Sequence, residues 1–134
     1  LSKPYPGVIE TLTKLKKAGF QMGVCSNKPQ EASEHLLKTL NLSQFFSKIA
    51  GGDYYSVRKP DKHHLLQLID DLKGNPTKTL MVGDNEHDAA MAKDGNVYFI
   101  FCTYGYSRLP IKEIIYNESI SSFSEIVNLN ILNK

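Results

Sequence analysis

Thr79-Leu80-Met81-Val82-Gly83-Asp84-Asn85-Glu86-His87-Asp88-Ala89-Ala90-Met91-Ala92 is the stretch that decides the fold. Residues 79–84 form a short continuous apolar run that ends on a carboxylate, the pattern of a strand covered on both faces. A short helix through Asp88, Ala89, Ala90, Met91 and Ala92 follows and is stopped by Gly95-Asn96. Residues 97–104 make a second apolar strand. A strand, a helix and a strand in that order predict a parallel pair joined by a crossover helix.

The same alternation extends towards the N-terminus. Residues 61–73 carry Leu65, Leu66, Leu68, Ile69 and Leu72 at helical spacing, broken by Gly74-Asn75-Pro76. Residues 45–52 read as a short strand closed by Gly51-Gly52. Pro29 opens a helix with Ala32, Leu36, Leu37 and Leu40, ending near Asn41. Residues 20–25 are a mostly apolar strand that stops at Ser26-Asn27-Lys28-Pro29. Val8, Leu12, Leu15 and Ala18 form the first helical stripe, started by Pro6 and stopped by Gly19. Its Lys14, Lys16 and Lys17 lie off that stripe and read as a solvated face, with no aromatic residue interleaved to suggest nucleic acid. Beyond the second apolar strand, residues 109–115 read as one or two helical turns and Ser119-Ile120 as an edge strand. Ser122 and Glu125 have capping-box spacing for a last helix through Leu129. The sum is an α/β fold, a Rossmann-like three-layer core with a mostly parallel sheet.

At 134 residues the chain is one domain or part of one, and it can bury a core without metal or disulfide staples. The net charge of +2 implies no nucleic-acid partner and no membrane surface by electrostatics. The apolar run at 97–102 is far too short to cross a bilayer. Cys25 and Cys102 sit inside apolar runs, where thiols act as small buried hydrophobes, so free cysteines and a cytoplasmic setting are expected. The chain begins at Leu1 without the features of a signal peptide, as expected of a trimmed or dissected chain.

In parallel sheets ligands bind beyond the carboxyl ends of the strands. The residues found there are Ser26 and Asn27 after the first strand, Lys59 a loop after the second, and Asp84 with Asp88 after the third. A hydroxyl, an amide, an ammonium and two carboxylates suit a phosphate beside a divalent cation. Hard carboxylate oxygens favour Mg²⁺, which keeps waters and substrate phosphate as its other ligands. A plainer reading is available for each residue taken singly. Asp84 caps the helix, Asp88 complements its dipole, Lys59 is solvated, and Ser26 is a turn residue.

Taken in order, these residues resemble the motifs of the haloacid dehalogenase-like hydrolases, in particular their phosphoglycolate phosphatase-like branch. Tyr5-Pro6-Gly7-Val8 is similar to that branch's entry into its core domain. Val24-Cys25-Ser26-Asn27-Lys28-Pro29 resembles the second motif, Arg58-Lys59-Pro60 the third, and residues 81–88 the fourth. Tyr104-Gly105-Tyr106 resembles an aromatic-Gly-Tyr step after the next strand. The resemblance covers about residues 4–129. It implies an Mg²⁺-dependent phosphatase for small phosphorylated metabolites, with 2-phosphoglycolate the first guess, working through an aspartyl-phosphate. Ser26 and Asn27 would bind phosphate, Lys59 would bind phosphate and act catalytically, Asp84 and Asp88 would hold the metal, and His87 would face the substrate.

One departure matters most. The family's first motif, an Asp-x-Asp that carries the nucleophile, is absent, and the Asp70-Asp71 pair is adjacent and lies in a helical pattern. The resemblance therefore implies the C-terminal core portion of a longer phosphatase, residues 1–134 forming a single core domain without its cap and its usual central first strand. This chain alone is expected to be inactive. The missing strand would lie between the strands ending at Ser26 and Asp84, and two unpaired edges are an aggregation hazard. The expectation is that those strands pair directly, or that a second copy lends a strand in a homodimer or swapped assembly, unless the missing N-terminal segment fills the gap. Asp61-Lys62 and Lys93-Asp94 also depart from the family's usual residues and read as surface changes.

The rival reading is a non-catalytic phosphate-binding, metal-binding or interaction module that kept the pocket without the nucleophile. A receiver-like domain is disfavoured because it needs an acidic cluster at early strand ends. His35, His63, His64 and His87 lack zinc-site spacing. Asn117-Glu118-Ser119 matches a glycosylation acceptor by accident.

Overall fold

The computed structural model describes residues 7–104, 113–129 and 132. The readings placed on Tyr5-Pro6, on residues 109–112 and on Gly105-Tyr106 lie outside the described residues. Four α-helices, α1 (Val8–Lys17), α2 (Gln30–Thr39), α3 (Lys62–Asp71) and α4 (Glu86–Asp94), alternate with strands. The strands are β1 (Gly23–Cys25), β2 (Lys48–Ala50), β3 (Leu80–Gly83), β4 (Tyr98–Cys102) and β5 (Glu118–Ile120). All pairs are parallel. Val24 stands opposite Ile49, Met81 opposite Phe99, and Phe101 opposite Ser119.

Helices cover both faces of the sheet. Along β4, Phe99 and Phe101 pack with Leu65 and Ile69 of α3 and Met91 and Ala92 of α4. Ile100 and Cys102 point the other way, onto Leu15 of α1 and Ile126. A strand buried on both faces has to be apolar throughout, which is why residues 97–104 lack the alternation of a half-exposed strand. Helix ends follow the local chemistry. α1 closes in a Schellman motif, with Phe20 N–H donating to the Leu15 carbonyl and Gly19 N–H to that of Lys16, and Gly19 takes the left-handed φ of 94° that this turn requires. Asp61 caps α3 by accepting from His63 N–H at 2.8 Å, which holds its carboxyl below the usual carboxylate range.

Several boundaries differ from the sequence reading. Only Lys48–Ala50 of residues 45–52 is strand; Ser43–Phe45 is a 3-10 turn whose Phe45 is an apolar anchor under α1. In α2, Ala32 is exposed and Ser33 takes the inward position, its hydroxyl satisfied by the Lys28 carbonyl. The last helix, Phe123–Asn128, is 3-10 rather than α, and Ser122 makes no side-chain cap bond. Glu125 does reach back, accepting from Ser121 N–H and Oγ, and these donors hold its carboxyl below the usual range.

The largest correction concerns the gap. Among the described residues β1 pairs only with β2, and β3 only with β4, so the sheet is two half-sheets, β1-β2 and β3-β4-β5. Direct pairing of β1 with β3, one of the two expected ways to close the gap, does not occur. α1 lies over one face of the gap and α3 over the other, and leucines of both line it. A cavity of about 870 Å³ runs between β1 and β3, bounded by Leu12 and Leu15 of α1, by Leu65 and Leu68 of α3 and by Leu72 just after it. All three β1 residues are accordingly half-buried rather than buried. Among the described residues no helix is long and apolar enough to cross a membrane.

Candidate functional site

The carboxyl ends of β1 and β3 meet at a buried ion pair. Lys59 Nζ lies 2.7 Å from Asp88 Oδ1, and the two side chains are only 12% and 6% exposed. Burial at this level is costly for both charges unless they are paired and hydrogen-bonded. The second oxygen of Asp88 accepts from Asp84 N–H at 3.3 Å, so both oxygens of the carboxylate are engaged.

Asp88 reaches this position because of two neighbours. Asn85 is the N-cap of α4, its Oδ1 accepting from His87 N–H and Asp88 N–H at 3.0 Å. The cap is therefore Asn85, and the plainer reading of Asp84 as the capping residue is set aside. Gly83 supplies the space: a Cβ there would lie 2.5 Å from both Cβ and Oδ2 of Asp88. Only a glycine lets the carboxylate fold back over the strand end. Asp84 is half-buried beside it, with Asn85 Nδ2 3.3 Å from its Oδ1.

The β1 end is built differently. Ser26 continues the ladder, its N–H donating to the Ala50 carbonyl, and its Oγ accepts from Lys28 N–H at 3.0 Å. Its hydroxyl proton is still a donor for an anion. Asn27 Oδ1 accepts from the backbone N–H of Lys59 at 3.1 Å, fastening the Lys59 loop to the end of β1. Of the residues singled out in the sequence, the structure thus joins Asn27 to Lys59, Lys59 to Asp88 and Asp88 to Asp84. His87 is exposed on the first turn of α4, apart from the buried pair. Cys25 lies on the cavity next to Lys59, and burial pushes its thiol up to about 12 against the opposing pull of that lysine. Both cysteines are free.

The donor set suits a cation in part. Among the described residues no three His, Cys, Asp or Glu side chains are grouped closely enough to hold a metal ion. Mg²⁺, however, needs only one or two carboxylates with waters and phosphate oxygens, which Asp84 and Asp88 can provide.

Three supporting residues were not singled out by sequence. Asn85 is one, although an Asn before an acidic first turn is a recognisable cap signal. His64 is another: fully buried, it bonds the Gly51 carbonyl through Nε2 at 3.0 Å and packs edge-on to Tyr55. Asp53 is the third, accepting from Gln30 N–H at 2.6 Å and so capping α2 from the β2 loop. His64 and Asp53 act across loops, and no local spacing announces them.

The profile of the family described as haloacid dehalogenase-like hydrolase matches residues 1–102. A phosphoglycolate phosphatase of Agrobacterium fabrum is 38% identical over 125 residues, spanning 93% of this chain and 54% of its own length. One from Aquifex aeolicus is 36% identical over 128 residues, spanning 96% and 59%. The chain therefore spans a little over half the length of these relatives. A solved structure described as a predicted phosphoglycolate phosphatase from Haemophilus somnus superposes with a TM-score of 0.89 at 28% identity, covering 94% of this chain and 56% of the other. A HAD-superfamily hydrolase of subfamily IA from Geobacter sulfurreducens superposes with a TM-score of 0.78 at 25% identity, covering 92% and 58%.

Proposed function

Since the chain belongs to the haloacid dehalogenase-like hydrolases, we propose that it carries the Lys59 half of the active site of an Mg²⁺-dependent phosphatase. The reaction is hydrolysis of a phosphoric monoester through an aspartyl-phosphate, on a small phosphorylated metabolite. The names of the relatives make 2-phosphoglycolate the first substrate to test. In this reading residues 1–134 form one core domain of a cytoplasmic enzyme, and the nucleophilic aspartate comes from outside them.

The observation that carries the reading is the Lys59–Asp88 pair, 2.7 Å apart and nearly buried at the meeting point of two strand ends. Phosphoryl transfer asks a protein chiefly for positioning and for compensation of charge on the phosphoryl oxygens. Lys59 supplies a fixed cation whose loop Asn27 holds in place. The Ser26 hydroxyl can donate to a phosphoryl oxygen while its lone pair keeps Lys28 N–H. The amide NH₂ of Asn27 is a further donor on the same side. Bound Mg²⁺, held through Asp84 and Asp88, would add charge compensation at those oxygens.

The chain has no Asp-x-Asp, which is why the isolated 134 residues are assigned no turnover. That same absence is what favours the rival reading of a non-catalytic phosphate- and metal-binding module. Hydrolysis of 2-phosphoglycolate and p-nitrophenyl phosphate by the full-length gene product separates the two. The phosphatase reading expects Mg²⁺-dependent turnover that falls at least about 100-fold in Lys59→Ala and Asp84→Ala. A full-length protein without turnover, or with variants as active as the parent, would favour the module.

A further inference from the structure

We propose that His64 is a positioning residue for Lys59. From the first turn of α3 it closes a ring of hydrogen bonds that holds the Lys59 loop against the turn carrying Ser26 and Asn27. The ring consists of this chain's own bonds, and only its effect on turnover rests on the phosphatase reading.

The ring can be followed residue by residue. Lys59 N–H donates to Asn27 Oδ1 at 3.1 Å. Further along the same turn, the Lys28 carbonyl accepts from Gly52 N–H at 2.7 Å, and Gln30 Oε1 accepts from Gly51 N–H at 2.5 Å. The Gly51 carbonyl accepts in turn from His64 Nε2 at 3.0 Å. His64 N–H donates to the Asp61 carbonyl at 3.1 Å and Asp61 N–H to the Arg58 carbonyl at 3.0 Å, which returns the path to the residue before Lys59. Close approach makes the ring stiff. A Cβ on Gly51 would lie 2.5 Å from the backbone N and Cα of Gln30, and one on Gly52 would lie 2.5 Å from the Asn27 carbonyl oxygen. The two glycines therefore rest directly on the 27–30 turn, and packing this close passes any shift of the pair on to Asn27.

His64 is the one link whose chemistry stability alone does not explain. It is fully buried, and Tyr55 packs edge-on to its ring with the centroids 5.4 Å apart. A carbonyl only accepts, so Nε2 carries the proton and Nδ1 presents a bare lone pair. That lone pair has no partner among the described residues. A buried acceptor without a partner costs more than one neutral hydrogen bond returns. Nor does the Gly51 carbonyl depend on His64, because it also accepts from Tyr54 N–H at 3.2 Å. For stability, a hydrocarbon of similar size would serve at position 64 as well as an imidazole. What it could not do is fasten Gly51 to α3 and so keep Asn27 in register with Lys59. That register matters to phosphoryl transfer, where misplacing a charge-compensating group by about 1 Å can cost about 100-fold in rate.

The test is made in the full-length gene product. His64→Met and His64→Leu keep the bulk and remove the donor, while His64→Gln offers an amide N–H at similar reach. In urea unfolding the Met and Leu variants should match or exceed the parent's midpoint. Amide hydrogen exchange read by NMR should nonetheless quicken at Lys59 and Gly52 by at least about tenfold in both, and return to within about threefold of the parent in the Gln variant. With p-nitrophenyl phosphate, kcat should fall at least about tenfold in the Met and Leu variants and recover in the Gln variant. A residue that merely fills the core gives the opposite pattern, with Gln the least stable of the three and Lys59 exchange unmoved. Met and Leu variants that fail to fold, Lys59 exchange equal to the parent's, or a Gln variant no better than Met would each overturn the proposal. A parent without turnover defeats the phosphatase reading, and exchange at Lys59 still decides the positioning. A parent with turnover whose Lys59 exchange is indifferent to residue 64 defeats the positioning alone.

Discussion

Gly83→Ala probes the architecture of the site at one atom. The added Cβ would sit 2.5 Å from Asp88 Cβ and Oδ2 and 2.7 Å from Asp88 Cγ, whereas ordinary contact begins near 3.4 Å. Asp88 has to retreat by about 1 Å, which strains its bonds to Lys59 Nζ at 2.7 Å and to the backbone N–H of Asp84 at 3.3 Å. Stretching a charge pair from 2.7 to about 3.7 Å costs roughly 2 kcal/mol at an effective dielectric constant of about 20. Overpacking of a closely packed site by one methyl group costs about 1–3 kcal/mol. The two describe the same displacement in part, so a total of about 3 kcal/mol is expected, or roughly 10 °C in the unfolding midpoint of a domain this size. Urea unfolding followed by circular dichroism measures it, with the slope unchanged and the midpoint lowered. The control is the Asp88→Gly background, which removes the Cβ as well as the carboxylate of residue 88, so the cost of the new methyl group should nearly vanish, a double-mutant coupling. A cost under about 0.5 kcal/mol, or one as large without the Asp88 side chain as with it, would show that Gly83 does not make room for Asp88.

Two further outcomes are expected. Asn85→Ala should destabilise the chain by about 1 kcal/mol, more than Asp84→Ala does, because Asn85 and not Asp84 caps α4; the reverse order in urea unfolding would show the cap to be misassigned. Acidification should destabilise the chain through Asp61 and Glu125, whose carboxyls are held low by the N–H groups of His63 and Ser121. A depressed carboxyl stabilises the fold above its unfolded pKa of about 4, and that stabilisation is lost as pH falls through the lower folded value. Asp61→Asn keeps the cap acceptor and should flatten this loss; thermal midpoints from pH 6 to 2.5 that fall equally in both proteins would contradict the assignment.

What the sequence made legible, and what it did not, follows from the range of the interactions. β3 and β4 are readable because a strand covered on both faces has to be a continuous apolar run, and residues 79–84 and 97–104 are such runs. Ser26, Lys59, Asp84 and Asp88 are readable because parallel strands deliver their ends to one side. Phe45 misleads, because an apolar residue anchoring a turn looks like the start of a strand. Asp84 and Asn85 are both good caps in composition, and only the turn geometry decides that Asn85 faces His87 N–H and Asp88 N–H. Gly83 gives no sign of its role, since the clash it avoids is with a residue one turn further on. The open gap is the least legible feature. Strand edges favour pairing locally, and nothing in the runs around residues 20–25 and 79–84 says that these two strands stay unpaired with each other.

In the proposed function the 134 residues hold a charge-compensating half-site whose nucleophile comes from elsewhere. Steady-state hydrolysis of p-nitrophenyl phosphate with Mg²⁺, by this chain alone and by its Lys59→Ala variant, tests it most directly. Neither is expected to exceed the rate without protein. Mg²⁺-dependent turnover by the chain that disappears in Lys59→Ala would contradict it, because a nucleophile would then lie within these residues.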